Sequence, residues 1–90
     1  MNEYYLVLAD RRVQKDLDRL DRPVLERIWR AVQMLRQNPW PPASRKLRHP
    51  IIGEYRLRVG DWRIFYDVDQ ESKTVVILRV MHRREAYRSR

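Results

Sequence analysis

The sequence predicts an α+β domain of order β-α-α-β-β-β, with a helix hairpin packed on one face of a four-stranded, mainly antiparallel sheet. Three observations lead there. Residues 11–20 and 24–35 carry apolar side chains at helical spacing and are separated by only a few residues. Gly60-Asp61 lies between two alternating runs, a two-residue hairpin turn of the Gly-first kind. After a polar stretch, residues 74–81 form a run of high β propensity.

Taken in order, residues 4–8 read as a short first strand, and Asp10 follows where its carboxylate can cap a helix. That helix sets Val13, Leu17 and Leu20 on one stripe of an otherwise charged segment. Asp21-Arg22-Pro23 breaks it, and Pro23 suits the first turn of a second helix because its missing N–H would be unpaired there. Val24, Ile28, Ala31, Val32 and Leu35 give that helix a wider core stripe, which Leu25 and Trp29 extend. Asn38-Pro39 ends it, since a residue before proline avoids the helical region. Trp40, set among prolines, is expected to cover the rim of the core and takes no functional role. Residues 44–53 read as a loop, either tracking phosphate or simply solvated.

The hairpin fixes its own register. Val59 faces Trp62, Leu57 faces Ile64 and Tyr55 faces Tyr66 on the core side, with Arg58 opposite Arg63 and Arg56 beside Phe65 on the other. In the last strand, Val76, Leu78 and Val80 are expected on the helix-covered face, which sends Val75, Ile77 and Arg79 to the arginine side.

At 90 residues the chain is expected to form one domain spanning 1–90 with a small core. It has no cysteine, so disulfides and thiolate metal sites are excluded; His49 and His82 lack the spacing of a zinc site, and no cofactor or metal is expected. The N-terminus carries no signal-peptide pattern and no stretch approaches a membrane span, so a cytoplasmic protein is expected. Net charge is +8, unevenly divided: residues 1–43 contribute +2 and residues 44–90 contribute +6. Positive potential concentrated on the hairpin and tail favours nucleic acid or an acidic protein as partner. Like charges opposed on a sheet repel, so the face bearing Arg58 and Arg63 calls for an anion, although most arginines on such a face are simply solvated.

The hairpin YRLRVGDWRIFYDV, the ending VVILRVMHRREAY and the order of elements together resemble the RelE/ParE superfamily of type II toxins, in particular its RelE-like branch. The resemblance covers nearly the whole chain. It implies a toxin that enters the ribosomal A site and cuts messenger RNA, neutralised by a cognate acidic antitoxin, with no membrane or small-molecule cofactor involved. It further implies that basic residues of the hairpin and a basic-plus-tyrosine ending surround the scissile phosphate; the matching positions are Arg56, Arg58, Arg63, Arg83 and Tyr87. Attack by the ribose 2′-OH, without metal, is the implied chemistry, leaving the protein to supply proton transfer and charge stabilisation.

Where that branch often carries lysines on the second strand, this chain has Arg56 and Arg58, whose guanidinium groups do not readily lose a proton. The nearby group with an ordinary pKa of about 6.5 is His82, which becomes the candidate general base, with Glu85 a weaker one. The expected catalytic set is therefore Arg58, Arg63, His82, Arg83 and Tyr87. Arg45, Lys46, Arg48, Arg56, Arg79 and Arg88 are expected to bind RNA phosphates. Two alternatives stand beside this reading: a ParE-like toxin directed at DNA gyrase, and a basic RNA-binding module without catalysis.

Overall fold

The computed structural model of the protein describes residues 3–48 and 52–88, the last two by backbone alone. Its elements are β1 (Tyr5–Leu8), α1 (Arg11–Asp18), α2 (Arg22–Gln37), β2 (Ser44–Lys46), β3 (Tyr55–Val59), β4 (Trp62–Asp69), β5 (Thr74–His82) and α3 (Arg83–Arg88). The strands form one sheet in the order β1-β5-β4-β3-β2, with β1 parallel to β5 and the other neighbours antiparallel.

The helix hairpin forms as its caps and stripes dictate. Asp10 accepts a hydrogen bond from Arg12 N at 2.9 Å, which holds its carboxyl below the usual carboxylate range. Asp21 accepts from Val24 N at 3.3 Å to start α2, and Pro23 occupies the first turn. Val13 and Leu17 of α1 and Ile28, Val32 and Leu35 of α2 are buried against Leu57, Ile64, Tyr66, Val75, Ile77 and Val80 of the sheet. Trp29, expected to extend the α2 stripe into the core, instead lies on its flank, 46% exposed. The core stripe is already filled by its i, i+4 neighbours, and the indole is left lining a groove between α1 and α2 with Leu17, Leu20 and Leu25.

The sheet has five strands rather than the expected four, because residues 44–46 are a strand and not a loop. Ser44 pairs with Leu57, Arg45 with Arg56 and Lys46 with Tyr55. The three residues have no apolar alternation of their own; the free edge of β3 imposes their conformation by hydrogen bonding. Pro39 and Trp40 lead into this edge. Tyr66 Oη donates to Pro39 O at 2.6 Å, and Trp40 stands edge-on to Tyr4 and Tyr55, closing the rim of the core.

Both hairpins have the expected loops. The β3–β4 register matches residue for residue, including Arg58 opposite Arg63, and Gly60 takes the positive φ of +59° that the turn requires. In the second loop Asp69 accepts from the backbone N–H groups of Glu71 and Ser72.

Strand β5 corrects the expected parity. Val75 and Ile77 are fully buried core residues, whereas Val76 and Leu78 are not in the core. A bulge is responsible: Phe65 pairs with Arg79 but Tyr66 pairs with Ile77, so Leu78 is an extra residue. Past it the alternation resumes one step later, and Val80 reaches the core face as expected, with Arg79 on the other. Gly53 fits over Leu78, where a Cβ would come within 2.5 Å of Leu78 Cδ1.

Candidate nucleic-acid interface

By register, the sheet face turned away from the helices bears Arg45 opposite Arg56, Arg58 opposite Arg63, and Phe65 between Arg56 and Arg79. Arg45 and Arg58 are exposed, Arg56 is half-buried and Arg63 is buried. Lys46 and Arg48 are exposed beside β2, Lys46 on the opposite side of the strand from Arg45. The buried state of Arg63 follows from its contacts. Its Nη1 donates to Gly60 O and Trp62 O, both at 2.9 Å, so the guanidinium clasps the turn of its own hairpin. Arg58 is left as the outward-facing cation of the pair.

Arg79 is committed elsewhere. Its Nε and Nη2 donate to Asp16 of α1 at 2.7 and 3.0 Å, and the same carboxylate accepts from Val80 N at 3.0 Å. This bidentate pair holds the Arg79 pKa above its ordinary value. It also welds α1 to the part of β5 that extends beyond β1. An expected phosphate ligand therefore carries a resident carboxylate.

At the tip of the sheet, β5 passes directly into α3. His82 pairs with Trp62, which sets its ring on the helix side of the sheet, opposite in sense to Arg58 and Arg63. The two rings meet edge to face, 5.2 Å apart. His82 Nδ1 accepts from Arg84 N at 3.2 Å, an arrangement that leaves Nε2 as the proton-bearing nitrogen of the neutral ring. Arg83 N donates to Asp61 O at 2.8 Å, and its guanidinium lies 3.9 Å from the Asp61 carboxylate. Asp61, His82, Arg83 and Arg84 line a recess of about 420 Å³. The tip thus gathers His82 and Arg83, while Arg45, Arg56 and Arg58 lie round the edge on the open face. The side chains of Tyr87 and Arg88 lie outside the described residues.

A family model described as the ParE toxin of the type II toxin–antitoxin system parDE matches residues 7–87. The chain belongs to the ParE toxin family. Toxin RelG of Mycobacterium tuberculosis is 44% identical over 45 residues, a match spanning 50% of this chain and only 52% of RelG. Among solved structures, a chain of the toxin–antitoxin complex RelBE2 from M. tuberculosis superposes with a TM-score of 0.79 at 30% identity, covering 91% of this chain and 93% of that one. A chain of the archaeal RelE–RelB complex from Pyrococcus horikoshii superposes at 0.76 with 28% identity, covering 92% and 97%. The protein is a toxin of the RelE/ParE superfamily, and its α+β fold is the fold of those structures.

In this ParE-family toxin two site-shaping residues had a faint trace in the sequence. Asp16 falls three positions after Val13 and one before Leu17, a carboxylate beside an apolar stripe, which is how a buried ion-pair partner announces itself. Asp61 was legible as a turn residue, but its position against Arg83 depends on where β5 ends, which no local pattern gives. Among the described residues no helix is long and apolar enough to cross a membrane.

Proposed function

We propose that this toxin is a ribosome-dependent endoribonuclease that cuts messenger RNA in the A site without a metal ion and so halts translation in the cytoplasm. The observation that supports it most is the pairing of arginine with arginine twice, Arg45 with Arg56 and Arg58 with Arg63, on the open sheet face. Such rows favour a polyanion laid across the strands. In the proposed step the ribose 2′-oxygen attacks the adjacent phosphorus and the P–O5′ bond breaks. The products are a 2′,3′-cyclic phosphate and a 5′-hydroxyl; one proton leaves the 2′-OH and one is returned to O5′. Arg58 and Arg83 donate to the phosphoryl oxygens as charge grows on them, and Arg63 adds its field while fixing the turn. His82 accepts the 2′-OH proton at Nδ1, the nitrogen that otherwise accepts from Arg84 N, so the step requires the ribose to sit at the sheet tip and to displace that hydrogen bond. Tyr87 supplies the proton to the leaving oxygen or a stacking face, and Arg45, Lys46, Arg48, Arg56 and Arg88 follow the backbone.

The solved relatives are toxin–antitoxin complexes, which supports a cognate antitoxin here as well. A segment rich in Asp and Glu would complement the +8 chain. The ParE name of the matching family model favours a second reading, a toxin directed at DNA gyrase. Primer extension on messenger RNA from translating ribosomes separates the two. Cuts at A-site codons, reduced about 100-fold or more in Arg58→Ala, are expected from the loss of a donor to developing charge. Intact messenger RNA accompanied by gyrase-dependent DNA breaks would establish the second reading instead.

A further inference from the structure

The geometry points to Arg27, on α2, as a further RNA-phosphate ligand that extends the basic surface around the tip of the β3–β4 hairpin. This inference rests on the RNA-directed reading above. Its starting point is Gly60. A Cβ at this position would collide with the Arg27 guanidinium, so the charged end of a helix residue rests directly against the turn. The same turn receives Arg63, whose Nη1 donates to Gly60 O, and Arg83, whose guanidinium approaches Asp61. Elements α2, β4 and α3 each deliver one guanidinium to two turn residues that carry one carboxylate between them.

The three arginines are not equivalent. Arg63 is buried on the turn's carbonyls and Arg83 faces Asp61, but Arg27 is exposed and, among the described residues, enters no ion pair or hydrogen bond. Its neighbours on the helix, Glu26 and Arg30, do not neutralise it, since Glu26 pairs with Arg22. An exposed guanidinium placed against a turn that already holds two others is poised for an external anion. The Trp62 and His82 rings lie on the same helix side of the sheet tip, so a nucleotide there could meet a cation and an aromatic edge together. Arg27 would take the phosphate next to the one reached from the open face, and the RNA would bend over the hairpin tip.

The test is a titration of the full-length toxin with a short fluorescein-labelled 2′-O-methyl RNA, which cannot react, followed by anisotropy across a range of salt. Arg27→Met keeps the aliphatic stem; it is expected to weaken binding several-fold and to lower the slope of log K against log salt by about 0.7, one single-strand phosphate contact. Arg27→Lys should keep the slope. Arg30→Met, an equal charge change three residues along α2, should leave it near the wild-type value. Wild-type binding with an unchanged slope in Arg27→Met would overturn the inference alone, as would an equal loss in Arg30→Met, which would mean a diffuse field. Failure of the wild-type toxin to bind RNA would overturn the RNA-directed reading as well.

Discussion

Replacing Asp16 by alanine should cost this toxin about 3 kcal/mol, although α1 is a surface helix of only eight residues. The carboxylate is 6% exposed and accepts three hydrogen bonds, two from Arg79 and one from Val80 N. Truncation leaves the Val80 N–H buried without an acceptor, a loss of about 2 kcal/mol. The Arg79 side chain is one-quarter exposed and can turn to solvent, so its part is smaller, about 1 kcal/mol rather than the full cost of a buried unpaired charge. In urea, with a slope near 1 kcal/mol/M for a domain of this size, the midpoint should fall by about 3 M. Arg79→Ala and the double variant complete a thermodynamic cycle, in which a coupling of about 1 kcal/mol or more is expected for groups in direct contact. A destabilisation under about 0.5 kcal/mol in Asp16→Ala would show that α1 is not anchored through this carboxylate, and the reasoning would fail.

Two further outcomes follow from the hairpin and its support. Gly60→Ala places a Cβ at φ +59° and against Arg27, which should cost about 1–2 kcal/mol and lower the melting temperature by roughly 4–16 °C; Gly60→Asn should cost less, and equal melting of wild type and Gly60→Ala would refute the turn assignment. Burial pushes the Tyr66 phenol from its ordinary value of 10.0 up to about 12, so the fold favours its neutral form. The resulting stability, at most about 2–3 kcal/mol, is complete below pH 10 and is lost as pH rises from 10 to 12. Tyr66→Phe should abolish that part of the alkaline loss, read as the urea midpoint against pH, while costing about 1 kcal/mol for the orphaned Pro39 carbonyl. An identical alkaline profile in both proteins would contradict it.

Much of this architecture is legible in local chemistry. Asp10, Asp21 and Pro23 mark helix starts because capping involves residues two or three apart. The β3–β4 register is legible because a two-residue turn with a glycine at positive φ allows only one pairing. What escaped depends on distant partners. Residues 44–46 are a strand only because β3 offers an open edge, and Trp29 is outside only because the core is complete without it. The opposed Arg58 and Arg63 were legible as a pair, but the retreat of Arg63 onto the turn carbonyls was not, since a guanidinium chooses among acceptors that exist only after folding. Arg79 looked like one more free cation until Asp16, 63 residues away, came to meet it.

The extra residue in β5 acts as a phase shifter for everything downstream of it. Had the strand kept strict alternation from Ile77, the positions now held by Arg79 and His82 would each have exchanged faces with their neighbours: Arg79 would point into the core and His82 would join Arg58. Deleting Leu78 is therefore a different kind of change from substituting it. Substitution alters one contact with Gly53, whereas deletion removes the bulge itself and leaves Ile77 and Arg79 adjacent opposite Tyr66 and Phe65, in regular alternation and with the faces they have now. A bulge of this sort absorbs one residue of length, so the count of residues in β5 and the presence of the bulge together determine on which face the tip residues stand.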